Sequence, residues 1–481
     1  MIKKVAFFTF QQEKTAIEQY RIYSPLKHAG IEVIEGVVNG EVTPLVIQEC
    51  DLVLTQRDFA RSFEDYKAIS WISKSAGKPF VLDLDDNILS LPKEHPDRVS
   101  HYYSSALPGL LQAVIEADLV TVSTENLKKE LLELNPNISL LPNCFDPDLW
   151  EIQDQSSHSE GQPVRILYMG SHSHKPDIES IGNPLLQVAQ TARRKIKFIF
   201  IGIDPPEGLE NFAPVERING FTFDYIDFIE KFSRIEADLA IAPLVDSNFN
   251  RSKSPIKFFE YSAIGLPVIA SAIEPYSLII KDGETGLLSN SEPQWVEKIN
   301  ILIENAEIRK ELVQNARASI NKNYLITQHA SSWKDAYESI SLPRENEPLD
   351  RVTIQKYLSG VALQISEQAV KQKTEQKKAE NSIAQLENKN QEVLERVDRL
   401  ESMNQESLER IDRLESKNQE SLGRIDALRA KVAAKDDEIT QIGESLRNAK
   451  LEIVDYTTST SWIITRPFRR VGRWIKRWKN A

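Results

Sequence analysis

The sequence lacks the features that mark several large classes of protein. Only two of its 481 residues are cysteine, Cys50 and Cys144, which suits a reducing compartment better than a disulfide framework. No apolar stretch approaches the roughly 18 residues that a membrane-spanning helix needs. The N-terminal run MIKKVAFFTF lacks the longer apolar core and the small-residue cleavage site of a signal peptide. We therefore expect a cytoplasmic protein.

An excess of positive charge is also missing. The formal net charge is -12, which argues against a nucleic-acid-binding protein. The chain is too long for one hydrophobic core and fits two domains with additional segments. The hydrophobic fraction of 41% is slightly below the globular range because the C-terminal third is polar.

Strand-like and helix-like segments alternate through the first two thirds of the chain. This alternation predicts parallel sheets covered on both faces, in a domain at 1–150 and another at 163–345, joined by the polar linker 151–162. The predicted fold class is thus α/β, with two Rossmann-like doubly wound domains and a ligand cleft beyond the carboxyl ends of their strands. The strand candidates are residues 5–10, 31–34, 52–55, 80–84, 119–122, 139–141, 164–169, 197–201, 239–243 and 268–270.

The sequence changes character after residue 345. A helical connector at 346–375 precedes a charged segment at 376–454 with three copies of a 14-residue repeat, LENKNQEVLERVDR, LESMNQESLERIDR and LESKNQESLGRIDA. Fourteen residues are two heptads, which predicts a long α-helical coiled coil and self-association, with Asn390, Asn404 and Asn418 at a positions. A single solvated helix is the alternative.

Residues 455–481 form a different kind of tail. Within 462–481 seven basic residues meet no acidic one, and Trp474 and Trp478 accompany apolar residues at helical spacing. This pattern is typical of a basic amphipathic helix on an anionic membrane surface, and we expect the inner face of the cell membrane. Docking to a protein partner, or folding onto acidic protein surface, are the alternatives.

Two loops of the second domain carry the chemistry of phosphate recognition. Gly170, Ser171, His174 and Lys175 follow the first strand, where backbone N–H groups and cationic side chains can meet a phosphate. A plain β–α turn is the alternative for this stretch.

The second loop, 246–260, offers Arg251, Lys253 and Lys257 near a helix N-terminus, which suits a diphosphate. Glu260, one turn into the helix, can accept hydrogen bonds from a vicinal diol such as a ribose. A surface ion pair between Lys257 and Glu260 is the competing interpretation.

The run KSPIKFFEYSAIGLPVIAS (253–271), followed by IIKDGETGLL (279–288), resembles the donor-binding half of retaining GT-B glycosyltransferases. That large family includes sucrose synthase and bacterial mannosyltransferases. LPNCFDPDLW (141–150) and the helix-like stretch 306–324 are similar to further family segments, and the resemblance covers roughly residues 1–340. It implies a nucleotide-sugar donor in the second domain, an acceptor in the first, and no metal or other cofactor.

The resemblance also implies roles for individual residues. Glu260 matches the second of two family glutamates, which holds the ribose, whereas Ser252 stands where the first would fall; Lys253 and Asn250 are possible substitutes in gripping the sugar. The residues that we assign to donor binding are Gly170, Ser171, His174, Lys175, Arg251, Ser254, Pro255, Ile256, Lys257 and Glu260.

In the first domain, the stretch VLDLDDNIL (81–89) ends a strand in three aspartates. Asp85 and Asp86 stand where relatives often have a His-Asp pair, so we assign them, with Lys253, to catalysis. They can bind acceptor hydroxyls or assist proton transfer; binding of Mg²⁺ or Mn²⁺ is the alternative. Asp83 and Arg21 are assigned to acceptor binding.

These assignments lead to one functional hypothesis and two alternatives. We expect a glycosyltransferase that moves a hexose, with retention, from a nucleotide sugar to a growing surface glycan or lipid-linked glycan at the membrane. A scaffold that has lost activity, with the coiled coil as its working part, is the first alternative, and a GT-B epimerase or phosphorylase is the second.

Overall fold

The computed structural model describes residues 1–10, 14–57, 59–150, 161–220, 224–341, 351–408, 422–445 and 447–448. The chain divides into two compact units, Met1–Val361 and Ala362–Ala481. Among the described residues, no helix is both long enough and apolar enough to cross a membrane.

The first unit contains two six-stranded parallel sheets. The first domain is built on the sheet with strand order β2-β1-β5-β6-β7-β8, and the second domain on the sheet with order β11-β10-β9-β12-β13-β14. A small antiparallel hairpin, β3–β4, completes the set. The strands are β1 Lys4–Phe8, β2 Glu32–Glu35, β3 Val37–Val38, β4 Glu41–Val42, β5 Leu52–Gln56, β6 Phe80–Leu84, β7 Leu119–Val122, β8 Ile138–Leu140, β9 Val164–Met169, β10 Ile196–Ile201, β11 Val215–Ile218, β12 Leu239–Ala242, β13 Val268–Ser271 and β14 Leu287–Ser289.

Helices cover both faces of each sheet, as expected for strands that are apolar along their whole length. Short 3₁₀ turns and one π-helical turn, Gln19–Tyr23, add to them. The α-helices are α1 Ala16–Glu18, α2 Ser24–Ala29, α3 Phe63–Ser75, α4 Pro96–Val99, α5 Leu107–Glu116, α6 Glu125–Leu131, α7 Lys175–Glu179, α8 Gly182–Thr191, α9 Tyr225–Ser233, α10 Asn248–Arg251, α11 Ile256–Ala263, α12 Tyr276–Ile279, α13 Glu292–Glu304, α14 Ala306–Asn323, α15 Ile326–His329, α16 Ser331–Glu338 and α17 Arg351–Leu408.

The prediction of two parallel Rossmann-like sheets is confirmed, and all ten strand candidates have a counterpart. The central strands β5, β6, β12 and β13 are buried along their full length. Strands β11 and β14, at the two edges of the second sheet, were not predicted. Their sequences, VERI and LLS, are short and half polar, because an edge strand is paired on one side only.

The chain returns to the first domain after completing the second. Phe145 N–H donates to Tyr324 O over 2.7 Å, and Ile326 N–H donates to Phe145 O over 2.8 Å, so two passes of the chain run side by side. Helices α15 and α16 then pack Trp333 and Tyr337 into the core of the first sheet. The predicted second domain, 163–345, is therefore wrong at its C-terminal end, because residues 326–337 belong to the first core.

A buried ion pair ties this first core together. The guanidinium of Arg21 donates to Asp83 through Nη2 at 2.7 Å and through Nε at 3.2 Å, and to Leu141 O. Asp83 accepts a further bond from Thr121 at 2.7 Å. Trp333 Nε1 donates to Arg21 O at 3.1 Å, which fixes the returning helix α16 to the same residue.

The second unit contains the rest of α17 and a helical stretch at 422–445. Asn390 Nδ2 donates to Asp436 Oδ1 over 2.5 Å. In an unbroken helix these residues would be about 69 Å apart, at 1.5 Å per residue. The two helical stretches therefore lie beside each other at these two residues, and the coiled coil over 376–454 stays a prediction. The linker residues 151–160 and the tail 455–481 lie outside the described residues.

The Arg21–Asp83 pair generates a stability prediction. Substituting Arg21→Ala leaves the Asp83 carboxylate buried without its cation, which costs about 3–5 kcal/mol. Urea unfolding followed by tryptophan fluorescence measures the loss. Lys74→Ala is the matched control, because it breaks an exposed ion pair with Glu116 (3.4 Å) and should cost less than about 1 kcal/mol. Equal losses in the two variants would contradict the role of the buried pair.

Candidate functional site

The candidate site lies where the strand order of the second sheet reverses. Strands β10 and β11 extend from β9 on one side, and β12 to β14 extend on the other. The connections that leave β9 and β12 therefore diverge, which opens a crevice at the carboxyl ends of these two strands. The two loops predicted from the sequence to bind phosphate, after Met169 and after Ala242, are the two edges of this crevice.

The loop after β9 approaches its neighbours too closely for a side chain at Gly170. A Cβ atom there would lie 2.9 Å from the Tyr168 hydroxyl and 3.2 Å from the Cβ of His174. Gly202, after β10, has φ +74° and its Cβ would lie 2.8 Å from Gly170 O. The two glycines thus let two strand ends meet, and Ser171 follows with its hydroxyl 2.8 Å from that of Ser173.

Asp177, which was not predicted, joins the two edges of the crevice. This buried carboxylate accepts from Val245 N and Asn250 Nδ2 through Oδ1, both at 2.9 Å. Its Oδ2 lies 2.8 Å from His174 Nδ1. Burial opposes ionisation, but these hydrogen bonds hold the pKa of Asp177 below its ordinary value. The motif HSHKPD carried a signal, because Asp follows His174 at the i,i+3 spacing of a helical turn.

Two lysines stand at the N-terminus of α11. The helix has no side-chain cap. The N–H of Phe258 donates to Pro255 O over 3.0 Å, so the N–H groups before it are the ones that can meet a ligand. Lys257 Nζ lies 5.8 Å from the centre of the Tyr168 ring, and burial lowers the pKa of Lys257 to about 8. Lys253 interacts electrostatically with Lys257, and both lysines with His174.

Glu260 lies one turn further along α11 and is held by tyrosines. The Tyr225 hydroxyl donates to Glu260 Oε1 at 2.8 Å and lies 3.1 Å from the hydroxyl of Tyr20, which belongs to the first domain. Burial raises the pKa of Glu260 to about 7. Among the described ion pairs, none joins Glu260 to Lys257, so the surface-pair interpretation is not supported.

The first domain supplies the opposite wall through the residues after β6. Asp86 Oδ2 lies 3.8 Å from Lys253 Nζ, across the boundary between the domains. Burial raises the pKa of Asp85 to about 6, although Arg57 Nε lies 3.3 Å from its Oδ1 and opposes the shift. Asp86 is shifted the other way, because Lys253 and Arg57 outweigh the effect of burial and lower its pKa. Asp86 thus lies beside Lys253 and Asp85 beside Arg57, and the catalytic role of Asp85, Asp86 and Lys253 stays a prediction.

The structure gives the remaining predicted residues other surroundings. Arg21 and Asp83 are fully buried and bond to each other, so the prediction that they bind an acceptor is corrected to a structural role. Arg251 forms a surface ion pair with Asp246 at 2.7 Å. Lys175 is exposed and lies 3.6 Å from Glu179. Ser254, Pro255 and Ile256 are half-buried at the start of α11.

Ser252, at the position of the absent family glutamate, has a local role. It is fully buried, and its hydroxyl donates to Asn248 O at 3.0 Å, at the end of α10. Its carbonyl accepts from the Thr124 hydroxyl of the first domain at 2.8 Å. A longer acidic side chain at this fully buried position would lose the hydroxyl's bond to Asn248 O and would need space that the neighbouring residues fill.

A cavity of about 220 Å³ opens beside the crevice. It lies at the carboxyl ends of β9, β10 and β11, and therefore continues the crevice away from Lys257 and Glu260. Its lining is partly polar and consists of His172, Lys175, Gly202, Ile203, Asp204 and Asn219.

The raised pKa of Glu260 generates a prediction about stability and pH. Below pH 4.5 the carboxyl is protonated in the folded and the unfolded chain alike; between pH 4.5 and about 7 the unfolded chain ionises first and stability falls. Glu260→Gln cannot ionise and keeps an oxygen for Tyr225. At pH 8 the free energy of unfolding of the variant should therefore exceed that of the natural protein by about 1–3 kcal/mol. Near pH 4 the two free energies of unfolding should be similar.

Denaturant unfolding at both pH values measures this difference. Glu297→Gln is the matched control, because Glu297 is exposed on α13 and should show no gain that depends on pH. A Glu260→Gln variant with no added stability at pH 8 would contradict a raised pKa of the buried Glu260 carboxyl.

Comparison with known proteins finds a family match over the part of the chain that forms this crevice. Residues 150–319 match the model of the family described as "Glycosyl transferases group 1". That range contains both edges of the crevice, the hydrogen-bonded pair of His174 and Asp177, and helix α11.

Curated relatives and solved structures match parts of the chain. The trehalose synthase of Pyrococcus horikoshii is 36% identical over 76 residues, which are 16% of this chain and 18% of that enzyme. An uncharacterized glycosyltransferase of Methanocaldococcus jannaschii is 22% identical over 52% of this chain and 66% of its own length. The chain thus spans less than a fifth of the length of the trehalose synthase.

One solved structure is that of HepE from Anabaena in complex with UDP and glucose. It has 15% sequence identity and a TM-score of 0.48, over 70% of this chain and all of that chain. A likeness of this degree carries no conclusion about function. Residues 150–319 are therefore similar to group 1 glycosyltransferases by the family match, and the two parallel sheets have the Rossmann-like arrangement of the GT-B type.

Proposed function

We propose that this protein is a glycosyltransferase that moves a sugar from a nucleotide diphosphate sugar to a glycan acceptor in the crevice between its two domains. One observation carries the proposal. The uncapped N-terminus of α11, flanked by Lys253 and Lys257, lies at the strand-order reversal inside the stretch that matches group 1 glycosyltransferases.

The donor fits the crevice by the chemistry of each part. A diphosphate, with two negative charges, suits the N–H groups of α11 and the ammonium groups of Lys253 and Lys257. Glu260 then accepts bonds from the ribose hydroxyls. The trehalose synthase match is to an enzyme named for making a sugar, which agrees with a sugar substrate.

Transfer then requires stabilisation of the leaving diphosphate and a placed acceptor. As the glycosidic bond breaks, charge grows on the diphosphate, and the fixed cations and helix N-terminus lower the barrier. Asp85 and Asp86, on the first-domain wall, bind the acceptor hydroxyl or take its proton. Because the acceptor approaches the donor face on which the leaving group lies, we propose retention of configuration. Independence from metals remains a prediction.

The remaining segments suggest where the enzyme works. We propose that the helical repeats at 376–454 mediate self-association and that the basic stretch 462–481 binds the anionic inner face of the cell membrane. A lipid-linked glycan is then the acceptor, and the product is a bacterial-type surface polysaccharide. The competing proposal, a scaffold without activity, is favoured by Ser252 in place of the family glutamate and would leave the crevice without a ligand.

Calorimetry with a panel of nucleotide sugars tests the proposal. UDP-glucose, UDP-N-acetylglucosamine and GDP-mannose are titrated into the protein, and nucleotide release is followed with and without glycan acceptors. We expect at least one donor to bind. Lys257→Met should weaken that donor about 10- to 100-fold, because a charged hydrogen bond contributes about 1.5–3 kcal/mol.

The control is Lys310→Met on the exposed face of α14, which should bind the donor as the natural protein does. Glu260→Ala should weaken binding by about 1–3 kcal/mol if Glu260 holds the ribose. If no member of a broad panel binds, the enzymatic proposal is refuted and the scaffold proposal is favoured.

Deletion of residues 457–481 tests the membrane proposal by itself. The shortened protein should no longer float with vesicles that contain anionic lipid, while it turns over a soluble acceptor at the natural rate. Vesicles of purely zwitterionic lipid are the control and should bind neither form. Flotation that survives the deletion would show that another surface is the anchor.

A further inference from the structure

His174 and Asp177 form a dyad that the proposed transfer does not yet use. Asp177 Oδ2 lies 2.8 Å from His174 Nδ1, and Asp177 Oδ1 is occupied by Val245 N and Asn250 Nδ2. The carboxylate is thus fixed from the opposite edge of the crevice and cannot turn. With Nδ1 committed to Asp177, the other ring nitrogen of His174, Nε2, is directed away from it.

The ring of His174 lies among charges from four elements. Asp177 lies on its own turn, Lys257 on α11, Lys253 on the loop before α11, and Asp86 on the first domain. Without a ligand, burial and Lys257 lower the pKa of His174 to about 4, although the bond to Asp177 opposes this. The imidazole is therefore neutral near pH 7, with a proton on Nδ1 and a lone pair on Nε2.

We propose that binding of the donor diphosphate places a proton from solvent on Nε2 of His174, and that Asp177 is the positioning residue that directs this proton to the phosphate. The inference rests on the proposed function, since it assumes a diphosphate at the N-terminus of α11. It makes the dyad a part of the donor site that accepts a proton when the site is filled.

The charge balance of the crevice supports this step. A neutral imidazole whose Nδ1–H faces Asp177 offers a phosphate oxygen only a lone pair, which repels it. A diphosphate brings two negative charges next to Lys253 and Lys257 and so removes the repulsion that those lysines exert on an imidazolium. One proton is taken from solvent, no covalent bond changes, and the imidazolium donates from Nε2 to phosphate and from Nδ1 to Asp177.

The variant Asp177→Asn separates this role from a merely structural one. Its oxygen can keep the bonds from Val245 N and Asn250 Nδ2, while its amide group donates to Nδ1 and forces the proton of a neutral His174 onto Nε2. The variant then offers phosphate a donor without taking up a proton. We expect it to bind the donor with an affinity that hardly changes between pH 5.5 and 7.5.

The measurement is calorimetric titration of the nucleotide sugar that binds best in the panel, in buffers of different ionisation enthalpy. A nucleotide sugar is the right probe, because neither of its phosphates titrates near neutral pH, unlike the terminal phosphate of a nucleoside diphosphate. The natural protein should take up a substantial fraction of one proton at pH 6, and its affinity should fall about three- to tenfold per pH unit above that. His174→Asn and Asp177→Asn should both abolish this uptake.

Other titrating groups are separated by pH and by variants. When the donor binds, Lys257 takes up protons near pH 8, because the diphosphate favours its charged form. Glu260 releases a proton near pH 7, because the ribose hydroxyls favour its ionised form. His95, whose pKa is also lowered, faces Lys253 and Asp86 and remains in both dyad variants. The control variant is His329→Asn. His329 bonds to Asn323 O and lies outside the crevice, so this variant should take up the same number of protons as the natural protein.

The outcomes distinguish this inference from the proposed function. Donor binding with the same proton uptake in the natural protein, His174→Asn and Asp177→Asn overturns the inference and leaves the glycosyltransferase proposal standing. Absence of any nucleotide-sugar binding overturns both. If Asp177→Asn fails to fold, uptake that persists in His174→Asn is sufficient to refute the dyad.

Discussion

The reversal of strand order between β9 and β12 is the constraint on which the candidate site depends. It makes the connections that leave β9 and β12 diverge and so opens a crevice at the carboxyl ends of these strands. The glycines at the ends of β9 and β10, the dyad that spans the gap and the uncapped end of α11 all lie at this one place. The topology therefore determines where a ligand can bind, and the side chains determine which ligand.

Burial acts on several ionisable groups of the crevice in the same sense. It lowers the pKa of His174 and Lys257 and raises the pKa of Glu260 and Asp85, so each uncharged form is favoured. Asp177 is an exception, because its hydrogen bonds hold its pKa below the ordinary value. A diphosphate would then meet groups whose desolvation the fold has already imposed, which is the usual basis of preorganisation.

The sequence was informative where one local pattern determined one local structure. The bounds of β6, β7 and β9 were predicted to the residue. Buried parallel strands are apolar on both faces, so a continuous apolar run marks the whole strand. Long-range pairings were not predictable. Nothing local shows that Asp83 is neutralised by Arg21, 62 residues away, so an aspartate that looked like part of a site is part of a core.

The same limit applies to the helical repeats and to Asp177. A heptad pattern predicts an apolar seam but does not say which helix covers it, and here Asn390 meets Asp436 of the same chain. Asp177 was not predicted, because its partners Val245 and Asn250 lie on another connection of the chain. Residue types at a spacing predict chemistry, whereas the partners of a buried charge follow from the fold.

The two passes of the chain that run side by side at Phe145 and Leu325 have a consequence for the order of folding during synthesis. Trp333 and Tyr337 fill the core of the first sheet, yet they leave the ribosome only after the entire second domain. The nascent first domain must wait with an open apolar groove and with Arg21 lacking its neighbour Trp333. Helices α15 and α16 thus complete the first domain last, so a chain truncated at the end of the second sheet would leave the first domain unfinished.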